Sequence, residues 1–490
     1  MEIQKSIKLN FIMNACLTMS SFIFQLITFP YVSRILLPAG TGRVSFAASL
    51  IAYFTMFAQL GIPTYGIRIC AKVRDDREKL TKTAQELLIV NLGMGAISYI
   101  VLFLLIITVP RFREEWLLYT VMSFSVILNS IGMEWIYKAL EQYTYIAVRS
   151  VIAKVVALAV MFLLVHTETD YVIYGGITVL ASSASYLFNF IHVHKFISLK
   201  PIGQYDFKKH LKPIGTFFAM ACATTIYTNL DNVMLGFMSN EIIVGFYDAA
   251  IKIRKVLLSV VTSLGAVILP RASYYVEHRL WDEFYRITAK AFSFVLVVAM
   301  PMTVFFMLFA KESIYFLSGE SYAGSILPMQ VIMPTLLLVG ITNVFGLQVL
   351  VPLGREDVVL KAEVFGAVID VVINLILIPQ YAALGAAIGT LAAEFTVLVV
   401  QLKALPIRTR KVFYSIHYSK LIIALIFGCI MSLWVKYLEI RTFSALLIAS
   451  SLFFGSYGLI LFFTKEKFTL DIINQISEKI KINGGNDEKS

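Results

Sequence analysis

Four charged residues, Asp248, Lys252, Arg254 and Lys255, stand in the first third of an otherwise apolar stretch, "GFYDAAIKIRKVLLSVVTSLGAVILPR", residues 245–271. Asp248, Lys252 and Lys255 follow the i, i+4, i+7 pattern of one helical face, and Ser259 and Thr262 continue it. Arg254 points roughly the other way. Counted from the outer end of such a helix, Lys252 lies ~10 Å and Lys255 ~15 Å deep. The preceding "TTIYTNLDNVMLG" brings Asp231 to the depth of Lys252, placed to pair with Lys252 or Arg254. Two chemistries compete here. One is a salt bridge locking two helices, which suits Asp231, Arg254 and Asp248. The other is a wet, positively charged cavity, which suits Lys252 and Lys255, because cations outnumber acids on this helix and surplus positive charge attracts an anion.

Further polar residues lie in apolar stretches. Lys154 has Glu134 as a candidate partner, Asp370 and Asn374 share a helical face, and Glu394 follows in the next apolar run. A desolvated carboxylate can carry a proton or bind sodium. Asp370, Glu394, Glu134 and Lys154 are therefore candidates for coupling to an H+ or Na+ gradient or to the membrane potential, with structural pairing as the alternative. Arg68 and Arg271 end two apolar runs, where they serve either topology or the entry of an anion. Arg34 reads as an interfacial anchor. No catalytic constellation and no P-loop is present, the six histidines are scattered, and the four cysteines stand alone. Neither enzymatic activity nor a metal or other cofactor is expected.

These residues must be positioned by helices in a bilayer. The 490-residue chain is 58% hydrophobic and only 15% charged, where a soluble protein is about 25% charged. Apolar runs near 20 residues recur throughout, the length that crosses a ~30 Å hydrocarbon core. The expected fold is an all-α polytopic membrane protein with about fourteen spans, near 9–37, 43–71, 87–109, 116–137, 145–165, 171–196, 213–238, 241–269, 288–310, 323–350, 357–378, 382–405, 420–438 and 442–463. Prolines 30, 63, 270, 301 and 334 within or at the ends of spans suggest kinks. With the N-terminus inside, alternate segments hold about 30 Lys and Arg against about 6 on the other side, which puts both termini in the cytoplasm. That bias accounts for most of the net charge of +11 without invoking nucleic acid.

Gly42 and Arg68 bound the second span as Gly245 and Arg271 bound the eighth. Each interval is 26 positions and the copies stand 203 apart. Six spans separate them, an even number, so two like-oriented halves related by an axis along the membrane normal are expected. The organisation is then 1–196 as a six-helix lobe, 197–212 as a linker, 213–405 as a second six-helix lobe, 406–463 as a loop with two appended helices, and 464–490 as a tail that begins as a short amphipathic helix.

Two blocks, "FPYVSRILLPAGTGRVSFAASLIAYFTMFAQLGIPTYGIR" and "IYTNLDNVMLGFMSNEIIVGFYDAAIKIRKVLLSVVTSLGAVILPRAS", resemble the Wzx-type polysaccharide repeat-unit flippases. These belong to the MOP superfamily, which also holds MATE exporters and lipid II flippases, and the resemblance covers nearly the whole chain. It implies a monomeric transporter in a bacterial cell membrane. Alternating access would carry undecaprenyl-diphosphate-linked oligosaccharide from the cytoplasmic to the outer leaflet, for capsule, exopolysaccharide or O-antigen. Lys252, Lys255, Arg68 and Arg271 would serve as the diphosphate-binding cations. A polysaccharide polymerase and a chain-length regulator would be its partners besides membrane lipids. Lipid II flippases carry arginines deeper in the first span than Arg34, where this chain has Thr28, which counts against that substrate. A MATE-like cation exporter is the remaining alternative, and the lysine excess of the eighth span argues against it. A polymerase would need a larger outer loop than "KESIYFLSGESYAG".

Overall fold

A computed structural model describes residues 7–414, 416–466 and 469–470, so the expected tail lies almost wholly outside the described residues. Every regular element described is a helix, and the chain divides into two compact units, Met1–Asp248 and Ala249–Ser490.

The first unit begins with α1 (Ile7–Gln59), which holds two of the expected spans. It breaks at Leu37 (φ 56°), immediately before Pro38, because proline disfavours helical backbone in the residue that precedes it. α2 (Ile62–Lys72) follows a second break at Leu60 (φ 47°) and Gly61 (φ 71°). α3 (Arg77–Thr108) starts where the Asp76 side chain accepts from the N–H groups of Glu78 and Lys79, each at 3.1 Å. Its outer stripe of Ile97, Ile100, Leu104 and Ile107 is half exposed or more, the face a spanning helix turns to lipid. α4 (Trp116–Ile131), α5 (Glu134–Ala139), α6 (Tyr143–Leu164), α7 (Tyr171–Ser183) and α8 (Ser185–His192) complete the first six expected spans.

α9 (Lys208–Met238) and the first two turns of α10 (Glu241–Thr262) also belong to this unit. The unit boundary therefore falls within α10, not in the 197–212 linker. The packing explains this. Gly236 of α9 lies against the Phe46 ring of α1, and Asn232 Nδ2 donates to Ser49 Oγ at 3.3 Å. Glu241 is tied to Arg111 at 2.8 Å.

The second unit contains the remainder of α10, then α11 (Gly265–Glu277), α12 (Trp281–Leu308), α13 (Thr335–Phe345), α14 (Glu356–Tyr381), α15 (Ala383–Ala404), α16 (Tyr418–Leu433) and α17 (Thr442–Phe463). Its core joins α12 to the appended helices. Phe305 and Phe453 pack with ring centroids 5.4 Å apart, and Tyr457 donates to the Val297 carbonyl at 3.1 Å.

Among the described residues nine helical runs are long and apolar enough to cross a membrane, ten with one bent pair. The expected fourteen differ for identifiable reasons. The first two spans read as one run, Ile12–Lys72, and α4 has only 16 residues. α9 and α10 have the length, 31 and 22 residues, but are too polar to be counted. The tenth is bent by 41° between Ile332 and Thr335, at Pro334. A helix nonetheless occupies every position where a span was expected. The chain is a multi-pass membrane protein.

Candidate functional site

α10 presents its charges on different faces. Arg254 is buried, with Nε donating to Thr335 Oγ1 at 2.6 Å and Nη2 meeting Glu394 Oε1 at 2.9 Å. Of the two cations expected to pair with Asp231, Lys252 and Arg254, Arg254 makes its ion pair with α15 of the second unit. Glu394 was expected mid-span and is there, 4% exposed, but its charge is matched by Arg254. An ion-coupling role for Glu394 would have to break that pair. Asp231 accepts a hydrogen bond from the Tyr247 hydroxyl, which links α9 to α10. Asp248 is buried, Lys252 is half-buried and Lys255 is exposed. Arg68 and Arg271 are both exposed, Arg68 in the last turns of α2 and Arg271 in the middle of α11 rather than at the end of α10, which stops at Thr262.

The second polar focus is the seam between α14 and α15. Asp370 and Asn374 on α14 are buried, 3% and 0% exposed. Gly389 of α15 sits directly against them, since a Cβ there would come 2.2 Å from Asn374 Oδ1 and 2.9 Å from Asp370 Oδ1. Thr390, the next residue, is also buried. Only glycine allows the two helices to approach over these polar groups. Asp370, Asn374 and Glu394 therefore belong to one pair of packed helices.

In the first unit the expected Glu134–Lys154 pair gives way to other partners. Glu134 binds Arg149 at 2.9 Å and Lys138 at 2.8 Å, while Lys154 donates to Ser20 and Ser21 of α1 at 2.9 and 2.8 Å. The reason is rotation about the helix axis. Arg149 bonds the Ser185 carbonyl, facing α8, whereas Lys154, five residues on, faces α1. The Arg34 guanidinium is exposed and donates to the Pro30 carbonyl of its own helix at 2.7 Å.

Sequence reasoning missed a buried network at the start of α3. Glu86, fully buried, holds His210 Nε2 at 2.8 Å, Lys209 Nζ at 2.7 Å and the Asp206 amide at 2.8 Å, and His210 Nδ1 meets the Tyr65 hydroxyl at 2.8 Å. Gln85 beside it accepts from Tyr205 and donates to the carbonyls of Ser198 and Lys200, the latter two at 2.7 Å. The 197–212 linker is thereby fastened to α3. The signal available was a carboxylate in the first turns of an apolar helix, with no hint of its partner. Among the described residues no group of three His, Cys, Asp or Glu is placed to hold a metal ion.

The family model described as "Polysaccharide biosynthesis protein" matches residues 7–276, more than half of the chain. A putative O-antigen transporter of Escherichia coli (strain K12) is 23% identical over 83% of this chain and 98% of its own length. A probable flippase, AglR, of Haloferax volcanii is 24% identical over 79% of this chain and 80% of its own. Among solved structures, the lipid II flippase MurJ in an inward closed conformation superposes with a TM-score of 0.69 at 14% identity, covering 92% of this chain and 99% of that one. An inward-facing MATE multidrug transporter of the MOP superfamily gives 0.61 at 15% identity, covering 81% and 96%. Together the matched residues and the shared fold place the chain in the polysaccharide biosynthesis protein family, with the fold of the MOP superfamily.

Proposed function

We propose that this protein is a flippase for polyprenyl-diphosphate-linked oligosaccharide repeat units. It would move them from the cytoplasmic to the outer leaflet of a bacterial cell membrane, with both termini in the cytoplasm, for capsule, exopolysaccharide or O-antigen synthesis. The observation that carries the reading is the division of labour on α10. The buried Arg254–Glu394 pair faces α15, and Lys252 and Lys255 lie on another face, half-buried and exposed. A diphosphate carries ~2 negative charges whose hydration cannot be shed into hydrocarbon without replacement. Two lysines one turn apart on a spanning helix offer that replacement as point charges. The relatives described as O-antigen transporters and as a flippase support this substrate class.

In this mechanism Arg68 and Arg271 receive the head group at the cytoplasmic side, and Lys252 and Lys255 hold it at mid-membrane. The sugars stay in water while the polyprenyl tail remains in lipid, and alternating access re-exposes the head group outside. Asp370 with Asn374 is the position at which an H+ or Na+ gradient would act. A polymerase and a chain-length regulator would receive the product. The test uses cells lacking this protein, complemented with Lys252→Ala/Lys255→Ala. Surface polymer should fall at least tenfold and lipid-linked units should accumulate inside, with Lys252→Arg/Lys255→Arg recovering export. Unimpaired export by the double alanine variant would remove the lysines from the mechanism.

A further inference from the structure

The first unit contains a polar cleft of about 130 Å³ that no step above uses. Gln59, Asn91, Asn129, Glu134, Trp135 and Lys138 line it. Two of these residues carry buried polar atoms without a protein partner, the Trp135 indole N–H and the Asn91 side-chain carbonyl. The residues themselves are 4% and 2% exposed. Such groups are costly to leave unpaired, and buried polar atoms are as a rule satisfied by protein, water or ligand.

The lining defines the ligand. Glu134 is the one carboxylate among the lining residues, and Arg149 and Lys138 already neutralise it at 2.9 and 2.8 Å, so the cleft offers nothing to a metal cation. An anion would face that carboxylate and the Asn91 oxygen. What remains is a neutral group that both donates and accepts, and a sugar hydroxyl does both. Amide side chains with an indole suit a pyranose ring, which has polar edges and an apolar face.

We propose that this cleft is a saccharide subsite, in which Asn91 accepts from and Trp135 donates to hydroxyls of one sugar residue, selecting which glycan the protein handles. The identification of the sugar as part of a lipid-linked unit rests on the proposed function, but the subsite itself does not.

The test uses the full-length protein in lipid nanodiscs with Trp116, Trp281 and Trp434 replaced by Phe, which leaves Trp135 as the sole indole emitter. Free glucose, rhamnose, N-acetylglucosamine and glucuronate are titrated separately, with glycerol at matched osmolality as the control. At least one sugar should change Trp135 emission saturably while glycerol does not. Asn91→Ala and Asn91→Ser should each weaken the response about tenfold. A cleft that merely holds water predicts no saturable response to any of the four sugars. That result overturns the proposal, as does a response matched by glycerol or unaltered in a folded Asn91 variant. Should neither Asn91 variant fold, the parental titration decides between the same two outcomes.

Repeating the titration in the Lys252→Ala/Lys255→Ala background separates the two readings. A persisting Trp135 response beside unimpaired export sinks the diphosphate reading alone. A missing response beside blocked export sinks the subsite alone.

Discussion

Gly42 and Gly245 bring two helices into backbone contact. A Cβ on Gly42 would lie 1.8 Å from the carbonyl oxygen of Glu241, and one on Gly245 would lie 2.1 Å from the carbonyl oxygen of Pro38. Pro38 and Glu241 are themselves 203 positions apart, the offset that separates the two glycines. Each glycine therefore sits on the residue four positions before the other. A self-complementary contact of this kind is what an axis relating the two sequence copies produces.

Any side chain at either glycine must push backbone away from backbone. Gly42→Ala and Gly245→Ala should each destabilise the purified protein by about 1–3 kcal/mol, the usual cost of overpacking, read as a lower Tm in detergent. Gly93 of α3, with nothing within 4 Å of its would-be Cβ, is the control. Gly93→Ala should be neutral or stabilising by ~0.5–1 kcal/mol through helix propensity. Equal tolerance at all three positions would deny the close approach.

How much of this could be read from the chain depends on which property is asked for. The break before Pro38 and the paired glycines at 42 and 245 follow from local backbone chemistry and internal spacing. The depth of Arg254 and Glu394 in the membrane follows from counting residues along a helix. Their pairing does not, because the partners are 140 positions apart and meet through the packing of α10 on α15. Asp231 was the nearer acid to Arg254 in sequence and depth, yet the arginine turns to Glu394. Glu86 and His210 show the same limit at a separation of 124. The open cleft beside Trp135 left no sequence trace, since it consists of side chains that fail to fill a space.

The Arg254–Glu394 pair is nine-tenths buried on both sides, so its two halves depend on each other. Removing one partner strands the other charge, a loss of roughly 3–5 kcal/mol, whereas replacing both with apolar residues of similar volume is often near neutral. Arg254→Met and Glu394→Gln should therefore each lower Tm sharply, and Arg254→Met/Glu394→Met should recover most of the loss. A double-mutant cycle in detergent provides the check. Additive losses would mean that the two charges do not interact.

The cap of α3 supplies a pH dependence. The Lys79 backbone amide, and then its ammonium, hold the Asp76 carboxyl below its ordinary value. A depressed carboxylate contributes its stabilisation above its unfolded pKa of ~3.9 and loses it as pH falls through the lower folded value. Exchange protection of the Glu78, Lys79 and Leu80 amides, corrected for intrinsic rates, should be level from neutral pH to about 4 and decline below. Asp76→Asn should show lower protection at pH 7 without that acid step. A decline beginning near pH 6 would implicate another group.

The Glu86 network fastens the 197–212 linker, and its failure should be visible to a protease. Glu86 meets His210, Lys209 and the Asp206 amide, and each is a bond to a carboxylate, the stronger class of hydrogen bond. Glu86→Gln keeps the volume but weakens all three, so local opening should become roughly tenfold or more frequent. Lys208 and Lys209 supply trypsin sites along the released segment, whereas Lys200 and Lys212 each precede a proline and resist cleavage. Limited trypsinolysis in nanodiscs should cut the Glu86→Gln protein between its two large fragments about tenfold faster than the parent, with His210→Ala intermediate because Lys209 and the Asp206 amide still hold Glu86. If the cutting rate is the same in all three proteins, the linker is held by Gln85 alone.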